Sequence, residues 1–184
     1  MNKDYKSIKE VIKNNLYPNK PWDASALFDS MGDVKKRGYL TKEEFLKIAM
    51  WKSPRPKKHY ISNSEEKITE VSKRALLCSS EEEKIEILEE LNGVSIAVAS
   101  ALLTGIDPEN YGIIDIRVWQ LLYLYGGVND KPSGQGFNIK NWISYITILR
   151  KYAQDFNLKV RDVERTLFFY HKKIQNGLLY AGKS

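Results

Sequence analysis

The stretch that decides the fold runs Ile85-Glu-Ile-Leu-Glu-Glu-Leu-Asn-Gly-Val-Ser-Ile-Ala-Val-Ala-Ser-Ala-Leu-Leu-Thr104. Its first part is an amphipathic helix, with Ile85, Leu88 and Leu91 on one face. Asn92-Gly93-Val94-Ser95 is a tight turn, and a second helix follows in which Ala97, Ala99, Ser100 and Ala101 are small enough for the two helices to pack closely. The pattern is that of a helix-hairpin-helix. Gly93 can take a positive φ and let a phosphate approach the backbone, while the exposed amides opening the second helix form an anion site. Taken alone, the stretch is read equally well as an ordinary αα-hairpin with glycine in its turn.

Outward from the hairpin, apolar residues recur at spacings of three and four, and alternating strand-like runs are scarce, so the fold class is all-α. Helices are expected over about 4–15, 24–31, 42–51, 64–77, 81–91, 96–105, 116–126, 139–155 and 161–175. Thr41 with Glu44 and Ser80 with Glu83 have capping-box spacing, in which each side chain satisfies an amide at a helix start. Pro54 and Pro56 must break the helix before them, because neither donates a backbone hydrogen bond and each restricts its predecessor. The chain therefore divides into an N-terminal helical region (1–50), a basic linker or loop (51–62) and a hairpin-containing core (63–184), together one compact unit. Gly126–Gly136 is a second loop.

The totals agree with such a unit. With 184 residues, 42% of them hydrophobic, a sizeable core can form. Twenty-nine Lys and Arg against twenty-three Asp and Glu leave a formal charge of +6, which favours polyanionic partners. A single cysteine, Cys78, excludes an intramolecular disulfide, a multi-cysteine zinc site and a four-cysteine iron–sulfur cluster. No run approaches the ~18 apolar residues of a membrane span and the start has no long apolar segment, so a cytoplasmic location is expected, on the nucleoid in a bacterium. With only His59 and His171 available, neither in a nucleophile context, a Ser/His/Asp or Cys/His hydrolase is not supported, and phosphate-loop and dinucleotide fingerprints are absent.

Asp33-Val-Lys-Lys-Arg-Gly-Tyr-Leu-Thr-Lys-Glu-Glu44 has the outline of a calcium loop, with Asp first, Gly38 sixth and Glu44 twelfth. Lys35 and Arg37 stand where oxygen ligands are needed, so the stretch reads as a turn and a Thr-capped helix.

The hairpin continues through Gly105-Ile-Asp-Pro-Glu-Asn-Tyr-Gly-Ile-Ile-Asp115-Ile-Arg-Val-Trp-Gln-Leu-Leu122. From about Leu88 to Leu122 the chain resembles the HhH-GPD superfamily of base-excision DNA glycosylases. In that family a Leu-Pro-Gly-Val-Gly hairpin leads through a loop to a Val-Asp segment opening another helix. Leu91-Asn-Gly-Val-Ser95 matches the hairpin and Ile114-Asp115-Ile-Arg-Val-Trp119 the segment. The resemblance implies a multi-helix glycosylase-like fold. It places a catalytic carboxylate at Asp115, a phosphate contact at Arg117 and backbone contacts to DNA at Asn92, Gly93, Val94 and Ser95. Asp115 is equally a good N-cap for the helix it opens. Ala97 stands where the lysine nucleophile of the bifunctional members belongs, so the resemblance points to a monofunctional enzyme. Ser95 and Asn92 replace a glycine and a proline of the hairpin, and the cysteine quartet of the endonuclease-III-like branch is missing. Arg161–Phe169 looks like the closing helix of some relatives of unassigned function.

A monofunctional glycosylase flips the damaged or modified base out of the stack and stabilises the oxocarbenium-like sugar with its carboxylate, or activates water with it. Trp51, Tyr60 and Tyr111 are candidates for the base pocket, whereas Trp119, one turn beyond Asp115 on an apolar helix, belongs to the core. Lys52, Arg55, Lys57 and Lys58, with His59 between two aromatics, have the composition of a DNA-facing segment. Lys52 is also a candidate to replace the missing nucleophile. The partner is DNA. Neither a metal nor a cofactor is expected, apart from a structural monovalent cation that the hairpin has the form to hold. Two rivals stand beside the enzyme: a non-catalytic DNA-binding module that retains the glycosylase scaffold, and a helical protein–protein adaptor.

Overall fold

A computed structural model of the protein describes residues 3–17, 25–176 and 179. Among them are eleven helices and no strand, as an all-α chain requires: α1 (Ile8–Asn15), α2 (Ser25–Asp29), α3 (Val34–Arg37), α4 (Lys42–Lys52), α5 (Lys57–Ile61), α6 (Glu65–Leu77), α7 (Glu81–Glu89), α8 (Ile96–Ile106), α9 (Ile116–Leu124), α10 (Ile139–Phe156) and α11 (Val160–Ile174). No helix among the described residues is long and apolar enough to cross a membrane.

The second hairpin helix, α8, is buried along its whole length except at the half-buried Ala97. A helix apolar on all sides has to be central. The helices α2, α4 and α7 pack around it, and α6 lies against α4 and α7. Close approach of α4 depends on Gly105, where a Cβ would stand 3.1 Å from the Ile48 side chain. A second layer is formed by α1, α9, α10 and α11, in which α11 packs on α1, α9 and α10, and α10 reaches back to α7, while α5 lies against α4. One continuous apolar core runs from Ile8 and Phe45 through Leu102 to Trp119, Trp142 and Leu167. The expected N-terminal region and hairpin core thus share an interior.

Caps mark the helix starts that the sequence signals. Thr41 and Glu44 form a reciprocal capping box on α4. The Ser80 hydroxyl accepts from the Glu83 amide, without the reciprocal bond. The calcium-like stretch is a short helix ending at Gly38 (φ +84°), followed by the capped α4, and the Arg37 guanidinium donates to Glu44. No cluster of metal-ligating side chains occurs among the described residues.

The expectation that fails is the loop at 51–62. The chain leaves α4 at Lys52 and re-enters a helix at Lys57. Pro56 sits at the N-cap of this new helix, where its missing N–H has no intrahelical partner to lose, and its carbonyl accepts from the Tyr60 amide. Two prolines separated the helices without making a linker.

Candidate functional site: a carboxylate and an ammonium at a cavity wall

Asp115 is positioned from the buried side. Within α8 the Ser100 hydroxyl donates to the Ala97 carbonyl at 2.9 Å and accepts the Ile114 amide at 3.1 Å. The Tyr145 hydroxyl, on α10, donates to the Ile113 carbonyl at 2.6 Å. Extended backbone at Asp115 (φ −140°, ψ 147°) then opens α9. Both carboxylate oxygens are engaged: Oδ1 accepts the Arg117 amide at 3.0 Å as an N-cap, and Oδ2 accepts Lys52 Nζ at 3.0 Å. Capping and charge pairing coexist on one side chain.

Lys52 is the last residue of α4, and the packing of α4 on α8 delivers its ammonium to Asp115. Only 15% of the Lys52 side chain and 23% of the Asp115 side chain are exposed, so water screens the pair weakly. Burial raises the Asp115 pKa, but the charge of Lys52 and the Arg117 amide outweigh it and hold the carboxyl below its ordinary range.

The pair forms part of the wall of a cavity of about 70 Å³, which Trp51, Ile113, Arg161, Glu164, Arg165, Phe168 and Phe169 complete. Five of these come from α11, at positions 161, 164, 165, 168 and 169, which lie on one helical face. Arg161 donates to Glu164 within that face. Tyr17 stacks on Phe169 from outside, with ring centroids 4.0 Å apart, and the Arg165 guanidinium lies 4.8 Å from the Tyr17 ring. The periodicity predicts α11 as a helix but does not single out its five cavity positions. Charged residues interleaved with paired phenylalanines at helical spacing were the available signal.

The other candidate residues separate into three places. Trp51 lies at the cavity, 39% exposed and edge-on to Phe28. Tyr60 is instead fully buried beneath the hairpin turn, edge-on to Phe45, and Tyr111 lines a second cavity beside Lys84 and Arg150. Arg117 turns to α11: its guanidinium donates to Gln175, lies 3.3 Å from His171 Nδ1 and covers the Phe168 ring. His171 Nε2 faces Gln120 at 2.9 Å, and burial beside the Arg117 charge lowers its pKa to about 4. It is therefore neutral at pH 7. Trp119 is core, its indole donating to the Asp130 carbonyl.

Arg55, Lys57, Lys58 and His59 are exposed on and before α5, and that helix adjoins the hairpin turn. Buried Asn63 clamps the two together. Its amide nitrogen donates to the carbonyls of His59, Tyr60 and Asn92, and its oxygen accepts the Asn92 amide at 2.9 Å. Gly93 has φ +85°, and a Cβ there would lie 2.9 Å from His59 Cβ and 3.1 Å from the Tyr60 ring. Its lack of a side chain serves the approach of α5, a role the sequence did not suggest. Val94 is buried, and Asn92 and Ser95 are exposed. Ser95 caps α8 without a side-chain bond.

Searches against family models, curated proteins and solved structures give no match to this chain.

Proposed function

We propose that the protein is a DNA glycosylase-type enzyme in which Asp115 acts on the sugar of a base flipped out of the duplex. The observation that carries this reading is the Asp115–Lys52 pair, 3.0 Å apart, at the wall of a cavity with three aromatic side chains. A carboxylate kept ionised in a poorly hydrated wall is suited to stabilising positive charge on the sugar C1′ and ring oxygen as the glycosidic bond breaks. The exposed cations of α5, beside the hairpin, supply a surface for the phosphates.

The position of Lys52 favours a second reading of the chemistry, in which its ammonium passes a proton to the Asp115 carboxylate, 3.0 Å away, and the free amine attacks C1′. The base leaves with the bonding electrons and takes up a proton. Ring opening gives an iminium to Lys52, and loss of the C2′ proton expels the 3′ phosphate. The two readings differ in whether strand breaks need alkali.

The test uses end-labelled duplexes carrying uracil, alkylated purines, 8-oxoguanine or hypermodified pyrimidines. Monofunctional action gives breaks only after alkali, and Asp115→Asn reduces them by about 100-fold or more. The lysine route gives breaks without alkali, together with a borohydride-trapped adduct that Lys52→Met abolishes. No breaks on any substrate, with steeply salt-dependent binding, overturns both and leaves a DNA-binding module on this scaffold.

A further inference from the structure

The cavity at the carboxyl-terminal end of α8, at the opposite end of that helix from the hairpin turn, encloses about 150 Å³ and is independent of the Asp115 site. Its apolar wall is Leu76 of α6 with Leu103 and Ile106 of α8, and its polar wall is Lys35, Lys84, Asp107 and Tyr111. We propose that it binds a small organic monoanion, with a carboxylate held by Lys84 and an apolar tail against Leu103 and Ile106.

The charges around the cavity decide the sign of the ligand. Asp107 accepts Lys35 Nζ at 2.9 Å and the Asn110 amide nitrogen at 2.9 Å. Glu81 accepts Arg150 at 2.9 Å and the Tyr111 hydroxyl at 3.0 Å. Three cations, Lys35, Lys84 and Arg150, thus face two carboxylates, and Lys84 is the least closely paired of them: its ammonium donates to the neutral Tyr111 hydroxyl at 2.8 Å and reaches the Glu81 carboxylate, which Arg150 already holds, only at 4.0 Å. Its side chain is 12% exposed. An ammonium has three donors, and a charge this poorly hydrated is stabilised by an acceptor of opposite sign. The cavity offers the space from which one can reach it.

The same surroundings limit the ligand to a single charge. Asp107, Glu81 and the carbonyl end of α8 all oppose a second negative charge, which disfavours a phosphate dianion relative to a carboxylate. Leu76, Leu103 and Ile106 have no group with which to solvate a polar tail.

Butyrate, n-butanol and n-butylamine share one tail and differ in charge, so titrating each into isotope-labelled protein and following the amide resonances separates the contributions. Butyrate is expected to shift the amides from Leu103 to Tyr111 saturably, with butanol at least about tenfold weaker and butylamine inactive at this site. Lys84→Met, which keeps the apolar stem, is expected to weaken butyrate by about tenfold. Equal binding of butanol, or unchanged binding of butyrate by Lys84→Met, overturns the proposal, as does the absence of shifts up to about 50 mM butyrate. Should Lys84→Met fail to fold, the contrast between butyrate and butylamine on the wild-type chain decides alone.

Discussion

The hairpin turn and the Asp115 segment are the two regions on which the proposed glycosylase reading rests, and the structure treats them differently. At the turn, packing and backbone satisfaction account for most of the features. Gly93 makes room for His59 and Tyr60, and Asn63 satisfies both the backbone N–H and the carbonyl of Asn92. At Asp115 the cap accounts for one oxygen, and the other is committed to an ammonium brought from α4 to the wall of a cavity. A glycine in a turn satisfies many folds. A charge pair maintained where water is scarce, and where an apolar pair would stabilise as well or better, is the feature on which the proposed function rests.

The comparison can be broken most directly at the turn. Gly93→Ala combines a positive φ with a 2.9 Å clash and should cost about 4 kcal/mol, measured by denaturant unfolding. Tolerance of alanine would mean that α5 does not rest on the turn. On the Asp115 side, acid should act through His171. Its pKa falls from 6.5 to about 4 on folding, so the unfolded chain takes up the proton first. This contribution to stability is complete above pH 6.5 and declines as the pH falls towards 4, amounting to about 3 kcal/mol. His171→Gln should flatten the pH dependence of unfolding in that window, and an unchanged slope would remove His171 from the network behind Arg117.

Asp115→Asn keeps the cap but leaves the poorly hydrated Lys52 ammonium without its counter-charge, so it should cost about 3 kcal/mol in denaturant unfolding besides abolishing the strand breaks of the proposed reaction, and a cost below about 0.5 kcal/mol would show that water screens the pair after all. Asn63→Ala should cost about 2 kcal/mol, because it removes a buried amide that satisfies both the backbone N–H and the carbonyl of Asn92. The smallest effect on folding belongs to Lys57→Gln with Lys58→Gln. Stability should change by less than about 0.5 kcal/mol, while the slope of log affinity for duplex DNA against log salt should fall by about 2. An unaltered slope would move the phosphate contacts away from α5.

Helix content and the hairpin were legible because they rest on local rules. The apolar spacing from Ile85 to Leu91 and the Thr41–Glu44 box depend on residues within two turns of each other. The helix α5 was hidden because prolines forbid a helix only beyond its first turn, and Pro56 stands just before that turn. The pairing of Lys52 with Asp115 joins positions 63 residues apart and depends on how α4 crosses α8 at Gly105, which no periodicity encodes. The α11 wall was missed for a related reason. Arg161, Glu164 and Arg165 are buried charges, and a sequence presents such residues as a solvated face.

The bond from the Ile114 amide to Ser100 has a consequence for time rather than for geometry. Ile114 lies in an irregular segment, where amides ordinarily exchange with solvent quickly, yet its proton is bound inside the core to the middle of the most buried helix. Its exchange should wait for the opening of α8 itself. The carboxylate one residue later is thereby tied to the slowest-moving part of the molecule, and its position should persist through the local openings that loosen the surface.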